Sequence, residues 1–413
     1  MIERVAPAIV SINLRSPVGL DPSRASRAKG EREEIGAFGS GVIIDPSGLI
    51  ATTSHGLERN WPITVVLNDQ RELDAEIVLT DRRTDLAILR IKGSQDFATV
   101  QLGNSDEVRV GDLVLAIGNP YAVGQTVTHG LVSAVGRTQL QINNYEYYIQ
   151  TDAAINPGSS GGALLDARGR LIGINMAIVS QTRGWQGIGF AVPVNMVAFV
   201  ADAARRGTDV IRRAWLGAKL VPLDPGTVAR LKLNSAIGAL VRSVVANSPA
   251  EQAGLQVNDV ISSIDGRLVE NPNAFDYRFA MRNVPGKVQL GIVRDGTEQT
   301  LEVNLVPAPE TVPRESTRIE TFAPLRGAIV VNLSPAVAEE LGLDADVEGV
   351  AVTDVEKDTP AQRFGLQRGD ILLKANGAKI NRARDVERLL RNTRVATLEF
   401  DRGGDLFLAR ITR

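Results

Sequence analysis

Along residues 1–190 the hydrophobic positions come in short bursts rather than at helical spacing. GVII, the turn DPSG at 45–48 and LIAT form a hairpin pattern, and EIVLT, DLAILRI, DLVLAIG, GLVSAVG, YYIQT, LIGINMAIV and GIGFAV follow. Most are rich in β-branched residues and several alternate apolar with polar, as half-buried strands do between Gly and Pro turns. Many short strands of this kind predict a mainly β domain, a sandwich or a barrel. The stretch 16–34, SPVGLDPSRASRAKGEREE, is polar, charged and without periodicity, and reads as a mobile surface loop.

The pattern changes at PVNMVAFVADAARRG, residues 193–207. Pro193 suits a first helical turn. Val197, Val200, Ala201 and Ala204 line one face, and Arg205, Arg206 and Gly207 mark the C-terminus. This helix closes a first domain, expected at 1–210. An internal repeat follows: SPAEQAGLQVNDVISSIDG at 248–266 and TPAQRFGLQRGDILLKANG at 359–377 match in register, and WLGA (215–218) recurs as LRGA (325–328). Two copies at this long period predict two tandem globular modules rather than a solenoid. They are expected at 211–308 and 321–413. The linker, 309–320, falls within the Pro- and charge-rich VPAPETVPRESTRIE.

Composition narrows the function. The 413 residues are 44% hydrophobic and 23% charged, as soluble globular proteins are. Acidic residues number 48 against 46 basic, which argues against a nucleic-acid partner or a basic membrane-binding face. The absence of Cys excludes a thiol nucleophile, a disulfide framework and a Cys-based metal site. The opening MIERVAPAIVSINL lacks the charged and apolar regions of a signal peptide. The longest near-apolar stretch, 188–201, is too short to span a bilayer and contains Pro193 and Asn195, so no integral membrane segment is expected.

Candidate chemistry centres on INPGSSGGAL, residues 155–164. GSSGG fits the nucleophile elbow of α/β-hydrolases, but that fold needs a His after the Ser, and the chain's two histidines, His55 and His129, both precede Ser160. The order His, Asp, Ser is that of chymotrypsin-like enzymes. His55 lies at the end of a hairpin strand in LIATTSHG, and Asp85 lies just before the apolar strand of RRTDLAIL, where a His-orienting carboxylate would be partly buried. Asp81 lies further into the loop and ranks behind Asp85. His129, in TVTHGLVS, has no carboxylate or nucleophile block beside it and reads as a strand residue.

SHG around His55, TDLAIL around Asp85 and TDAAINPGSSGGALLD around Ser160 resemble the three triad segments of the HtrA/Deg serine proteases. GSGVIID (39–45), VGDLVLAIGNPYAVGQTVTHGLVSAVGR (110–137) and QGIGFAVPVN (186–195) are also similar to that family, and the two repeats resemble its PDZ domains. The resemblance implies a chymotrypsin-like double β-barrel followed by two PDZ domains. It implies an ATP-independent serine endopeptidase acting on unfolded or misfolded polypeptides, with His55, Asp85 and Ser160 as triad and no cofactor or metal. The backbone N–H groups of Gly158 and Ser160 would form the oxyanion hole. Ile155 and Ile178 match the specificity pocket, which predicts cleavage after small aliphatic residues. Arg137 matches an arginine that senses an occupied PDZ domain, against the alternative of a solvated surface residue.

For the PDZ domains the resemblance points to peptide C-termini bound at Trp215, Leu216, Gly217 and Ala218, and at Leu325, Arg326, Gly327 and Ala328. Core packing is the other reading of Trp215, and Arg326 stands where the family has an apolar residue. Homotrimers or larger assemblies and a bacterial periplasmic or cell-envelope location are also implied. Ser159, the Ser54-His55-Gly56 segment and His129 depart from the usual family residues. The alternative is a proteolytically weak or inactive chaperone or binding scaffold of the same fold.

Overall fold

In the first unit, Met1–Ile211, the β-branched bursts close into two six-stranded antiparallel barrels. The computed structural model describes residues 1–15, 35–57, 61–93, 96–119, 124–138, 140, 142–143, 145–176, 186–208, 210–231, 233–320, 323–343, 349–390 and 395–412. The loop expected at 16–34 lies outside them. After a short helix α1 (Ile2–Val5), the first barrel comprises β1 (Ile9–Arg15), β2 (Ile35–Asp45), β3 (Leu49–Thr53), β4 (Ile63–Val66), β5 (Glu72–Asp81) and β6 (Leu86–Ile91), in the order β1-β2-β3-β6-β5-β4. The second comprises β7 (Leu113–Gly118), β8 (Thr126–Arg137), β9 (Tyr148–Thr151), β10 (Ala163–Asp166), β11 (Leu171–Met176) and β12 (Gly189–Pro193), in the order β10-β11-β12-β9-β8-β7.

Ile12, Ile50, Ile88 and Leu89 are fully buried in the first barrel, and Val132, Ile149, Leu164 and Ile172 sit in the core of the second. Each such side chain contributes about 1.5–3 kcal/mol relative to exposure. The predicted helix is α2 (Val194–Arg205). It starts one residue later than expected, because Pro193 closes β12 and caps the helix from outside. Its apolar face, with Val197, Val200, Ala201 and Ala204, packs on β5 and β6 of one barrel and on β11 and β12 of the other. One helix thereby joins the two barrels. No described helix is long and apolar enough to cross a membrane.

The second unit, Arg212–Arg413, contains the two repeats. The first has β13 (Ala214–Trp215), β14 (Ala218–Val221), β15 (Ala239–Val244), β16 (Val260–Ile264), β17 (Arg267–Leu268), β18 (Gly286–Arg294) and β19 (Thr297–Pro307), with helices α3 (Pro225–Arg230), α4 (Pro249–Gln252) and α5 (Pro272–Ala280). The second has β20 (Thr317–Arg318), β21 (Ala328–Asn332), β22 (Val350–Val355), β23 (Ile371–Ala375), β24 (Ala378–Lys379), β25 (Val395–Arg402) and β26 (Asp405–Thr412), with α6 (Pro335–Leu341), α7 (Pro360–Phe364) and α8 (Ala383–Leu390). The sheet orders are β13-β19-β18-β16-β15-β14 and β20-β21-β22-β23-β25-β26.

The repeat extends to individual bonds. Ser248 caps α4 by accepting from the Glu251 N–H, and Glu251 returns a carboxylate to the Asn247 N–H at 2.7 Å. Thr359 and Gln362 do the same for α7, Gln362 accepting from the Asp358 N–H at 2.8 Å. The matching aspartates are almost wholly buried, and each is gripped by an arginine from the last hairpin. Arg294 donates to both oxygens of Asp259 at 2.7 and 2.6 Å and to the Gly254 carbonyl. Arg402 donates to Asp370 at 2.6 and 2.7 Å and to the Gly365 carbonyl. The second sheet begins inside the stretch read as linker: Thr317 and Arg318 pair with β21, and Ile319 is buried in the module's core.

Candidate active site

The β3–β6 ladder positions the first two candidate residues. Thr53 pairs with Leu86, so the next step of the antiparallel register sets Ser54 opposite Asp85 and His55 just beyond. Asp85 is buried and has φ +57°, a left-handed conformation that Asp and Asn adopt more readily than other side chains. Its Oδ1 accepts from the Ser54 N–H (3.1 Å), the Ser54 hydroxyl (3.0 Å) and the His55 N–H (2.8 Å). Its Oδ2 meets His55 Nδ1 at 2.6 Å. An ionised carboxylate only accepts, so this bond holds the proton on Nδ1 and leaves Nε2 with its lone pair. The bond to Asp85 raises the pKa of His55 above its ordinary value, against the opposing effect of partial burial.

Ser54, met in the sequence as a departure, is therefore one of the groups that fix the acid. Asp81 is occupied differently: its Oδ2 accepts from the Thr84 hydroxyl at 2.6 Å. His129 is exposed on β8, opposite Leu115.

Ser160 lies in the turn between β9 and β10, and its backbone is pinned on several sides. The Ser159 N–H bonds the Asn156 carbonyl at 2.9 Å, the Gly162 N–H bonds the Ser159 carbonyl at 3.0 Å, and the Gly161 N–H bonds the Asn175 carbonyl at 2.8 Å. With the Ser159 carbonyl held by Gly162, the N–H of Ser160 points the opposite way, because the trans peptide sets the two antiparallel. Gly161 has φ +81°, and a Cβ there would overlap the Ser40 carbonyl oxygen and the Thr52 hydroxyl. Only glycine fits that position.

Ser40, on β2, is the link between barrels that the sequence reading missed. It is fully buried. Its N–H donates to the Ser160 carbonyl at 2.8 Å and its hydroxyl to the Gly158 carbonyl at 2.7 Å. The same hydroxyl accepts from the Asn119 N–H at 2.8 Å, and the Ser40 carbonyl accepts from the Thr52 hydroxyl at 2.7 Å. The Ser160 turn is thus docked on β2 and against Thr52, three residues before His55. The signal was present in GSGVIID: a lone hydroxyl residue between glycines in an otherwise apolar strand. The structure joins His55 and Asp85 directly. It brings the Ser160 turn to their strand through Ser40 and Thr52, and no hydrogen bond from Ser160 Oγ is found among the described residues.

The remaining candidates are placed as follows. Ile155 is fully buried in the second barrel's core, and a Cβ on Gly189 would come within 2.9 Å of it. Ile178 lies outside the described residues. Arg137 ends β8, is exposed, and donates to Gln150 at 2.8 Å. Beyond it, the buried Glu146 carboxylate gathers the N–H groups of Leu140 and Ile142 at 2.6 Å each, a loop anchor that the sequence reading did not single out. In the first repeat Trp215 is half-buried and Leu216 is buried in the core. The loop is folded back by bonds from Val245 N–H to Gly217 and from Ala250 N–H to Leu216. The second repeat has the same bonds, from Glu356 N–H to Gly327 and from Ala361 N–H to Arg326, with Leu325 and Ala328 fully buried.

Comparison with known proteins identifies the family and its domains. The family model of the trypsin-like peptidase domain matches residues 39–174, and PDZ domain models match 214–305 and 351–402. A Chlamydia pneumoniae protein described as a probable periplasmic serine endoprotease, DegP-like, is 38% identical over 357 residues, covering 86% of this chain and 71% of that protein. The periplasmic serine endoprotease DegP of Escherichia coli K12 is 34% identical over 424 residues, covering 94% of this chain and 86% of its own. A solved structure of the HtrA-type protease AlgW with a decapeptide superposes with a TM-score of 0.56 and 38% identity, over 75% of this chain and 98% of that one. With the barrels and both repeats matched in this way, the chain belongs to the DegP-like, HtrA-type family of serine endoproteases.

Proposed function

We propose that the chain degrades unfolded or misfolded polypeptides by acyl transfer through Ser160, in a bacterial periplasm or cell envelope and without ATP. The observation that carries this is the Asp85–His55 pair at 2.6 Å, beside a nucleophile turn docked on the same barrel. Ser160 Oγ attacks the scissile carbonyl. His55 Nε2 takes the proton and returns it to the leaving amine. Asp85 holds the tautomer and stabilises the imidazolium. The N–H groups of Gly158 and Ser160, which no described backbone carbonyl accepts, are aimed at the developing oxyanion; each such donor is worth about 3–4 kcal/mol. Water then releases the acyl group by the same steps in reverse. Ile155 and Ile178 both lack charge, which favours cleavage after small aliphatic residues.

The first PDZ domain receives peptide C-termini. Its β14 is the last strand of its sheet, and the N–H of Gly217 has no acceptor among the described residues. An extended peptide adds there as a further strand, with its carboxylate at Trp215–Ala218. The counterpart loop is Leu325–Ala328. Arg137 carries the occupied state to the oxyanion turn, and the working assembly is a homotrimer or a larger multiple. The test is hydrolysis of unfolded casein by the intact chain and by Ser160→Ala, with and without a peptide ending in an apolar residue. Cleavage by the intact chain alone, stimulated by the peptide, is expected. Equal cleavage by Ser160→Ala would refute the assignment.

A further inference from the structure

The two repeats differ at one edge. In the first, β14 ends its sheet; in the second, the equivalent β21 carries β20 on that edge. The pairing is antiparallel, Thr317 opposite Val330 and Arg318 opposite Ile329. The ladder runs on into the loop: the Ile319 N–H donates to the Ala328 carbonyl at 2.9 Å, and the Gly327 N–H donates to the Ile319 carbonyl at 3.0 Å. At the other end the Asn332 N–H donates to the Arg314 carbonyl at 2.8 Å. Ile319 is fully buried, in one cluster with Leu325, Val386 and Leu390. Residues 314–319 thus lie where an added peptide strand would lie, in its direction, with an aliphatic side chain at the place of the terminal residue and a carbonyl on the loop amide.

We propose that Thr317-Arg318-Ile319 is the resident ligand of the second PDZ groove, which recognises an internal segment with a basic residue just before a β-branched aliphatic one, and is closed to external peptides. This rests on the reading of the repeats as peptide grooves. One side-chain contact fits an internal ligand better than a free terminus, and a second ties the segment down. The Glu320 N–H, which a terminal residue would not have, donates to Glu387 on α8 at 2.7 Å. A free carboxylate at that place would face the Glu387 carboxylate instead. Arg318 grips Glu356 at 2.7 and 2.8 Å and reaches Glu320 at 3.1 Å, tying the segment to the rim. A tethered segment competes at an effective concentration on the order of millimolar, so if its own untethered dissociation constant is about 10 μM, a free peptide binds roughly a hundredfold more weakly than to an empty groove.

The test uses the full chain carrying Ser160→Ala and two photoreactive probes, with crosslinks mapped by mass spectrometry. One probe is a capped peptide of sequence Arg-Glu-Ser-Thr-Arg-Ile-Glu; the other ends in a free apolar residue. Arg318→Glu sets a third carboxylate against Glu356 and Glu320 from an exposed position, and Ile319→Ser removes the buried anchor. The capped probe is expected to leave 321–413 unlabelled in the parent chain and to label it at least tenfold more in either variant. Equal labelling of the parent, or no labelling in an Arg318→Glu chain whose circular dichroism and melting remain native, overturns the proposal. If Ile319→Ser unfolds the module, Arg318→Glu decides alone. The free-terminus probe is a separate arm: if it labels 211–308 in none of the chains, the peptide-groove reading itself fails, whatever the capped probe does.

Discussion

Ser40→Ala tests whether the hydroxyl between the barrels positions the nucleophile turn. The change removes one oxygen and leaves two former partners, the Gly158 carbonyl and the Asn119 N–H, which had bonds of 2.7 and 2.8 Å. An unsatisfied buried group costs about 1–3 kcal/mol. Both partners are only half-buried, so water recovers part of this, and a total loss of about 2–3 kcal/mol is expected. The Ser40 N–H still holds the Ser160 carbonyl, so the turn remains docked but loses the restraint on the Gly158 peptide. If about half of the loss falls on the transition state, kcat falls roughly tenfold, since 1.4 kcal/mol is a factor of ten. KM should change less than threefold, because the hydroxyl does not line the pocket. The assay is steady-state hydrolysis of a fluorogenic peptide beside thermal unfolding of the same preparation. The acid limb of the pH profile should not move, because His55 and Asp85 are untouched. Loss of stability with unchanged kcat would refute the positioning argument and leave Ser40 as a strut between barrels.

Asp85→Asn should keep the fold and cut kcat by about 10⁴, because an amide facing Nδ1 stabilises the wrong tautomer. The pH profile gives an independent check. His55 acts as a base only when neutral, and Asp85 raises its pKa, so activity falls as pH drops through that raised value. Without the charge the acid limb should move to lower pH; a limb that stays in place would mean that another group controls it. Arg294→Ala and Arg402→Ala each strand a buried aspartate and should destabilise their own repeat by about 3 kcal/mol, measured by denaturant unfolding, with the barrels' transition unchanged.

The barrels were legible because most of their strands are bursts of β-branched residues with their own turns, so local pattern and tertiary role coincide. Of the three residues singled out as motifs, His55 and Asp85 meet, and the β3–β6 register explains why two segments 30 residues apart do so. What stayed hidden depends on non-local closure. Ser40 meets Gly158 across 118 positions, and nothing beside either residue announces the other. The arginines gripping Asp259 and Asp370 escaped the repeat because they stand 35 and 32 residues beyond their aspartates, so a fixed offset does not align them. The segment 314–319 read as linker because its prolines and charges describe its exposed side, whereas its structure is set by one buried isoleucine and a shared backbone edge.

The left-handed backbone at Asp85 bears on how this site can change over descent. A position with φ +57° tolerates Asp, Asn and Gly, and other side chains cost about 1–2 kcal/mol there. Glutamate would keep the charge at the expense of that strain and a longer reach. Asparagine would keep the backbone while removing the chemistry. The residue most compatible with the shape is therefore the one that silences the enzyme. On the proposed mechanism, a folded but non-cleaving descendant lies a single substitution away, across a path that selection on stability alone does not block.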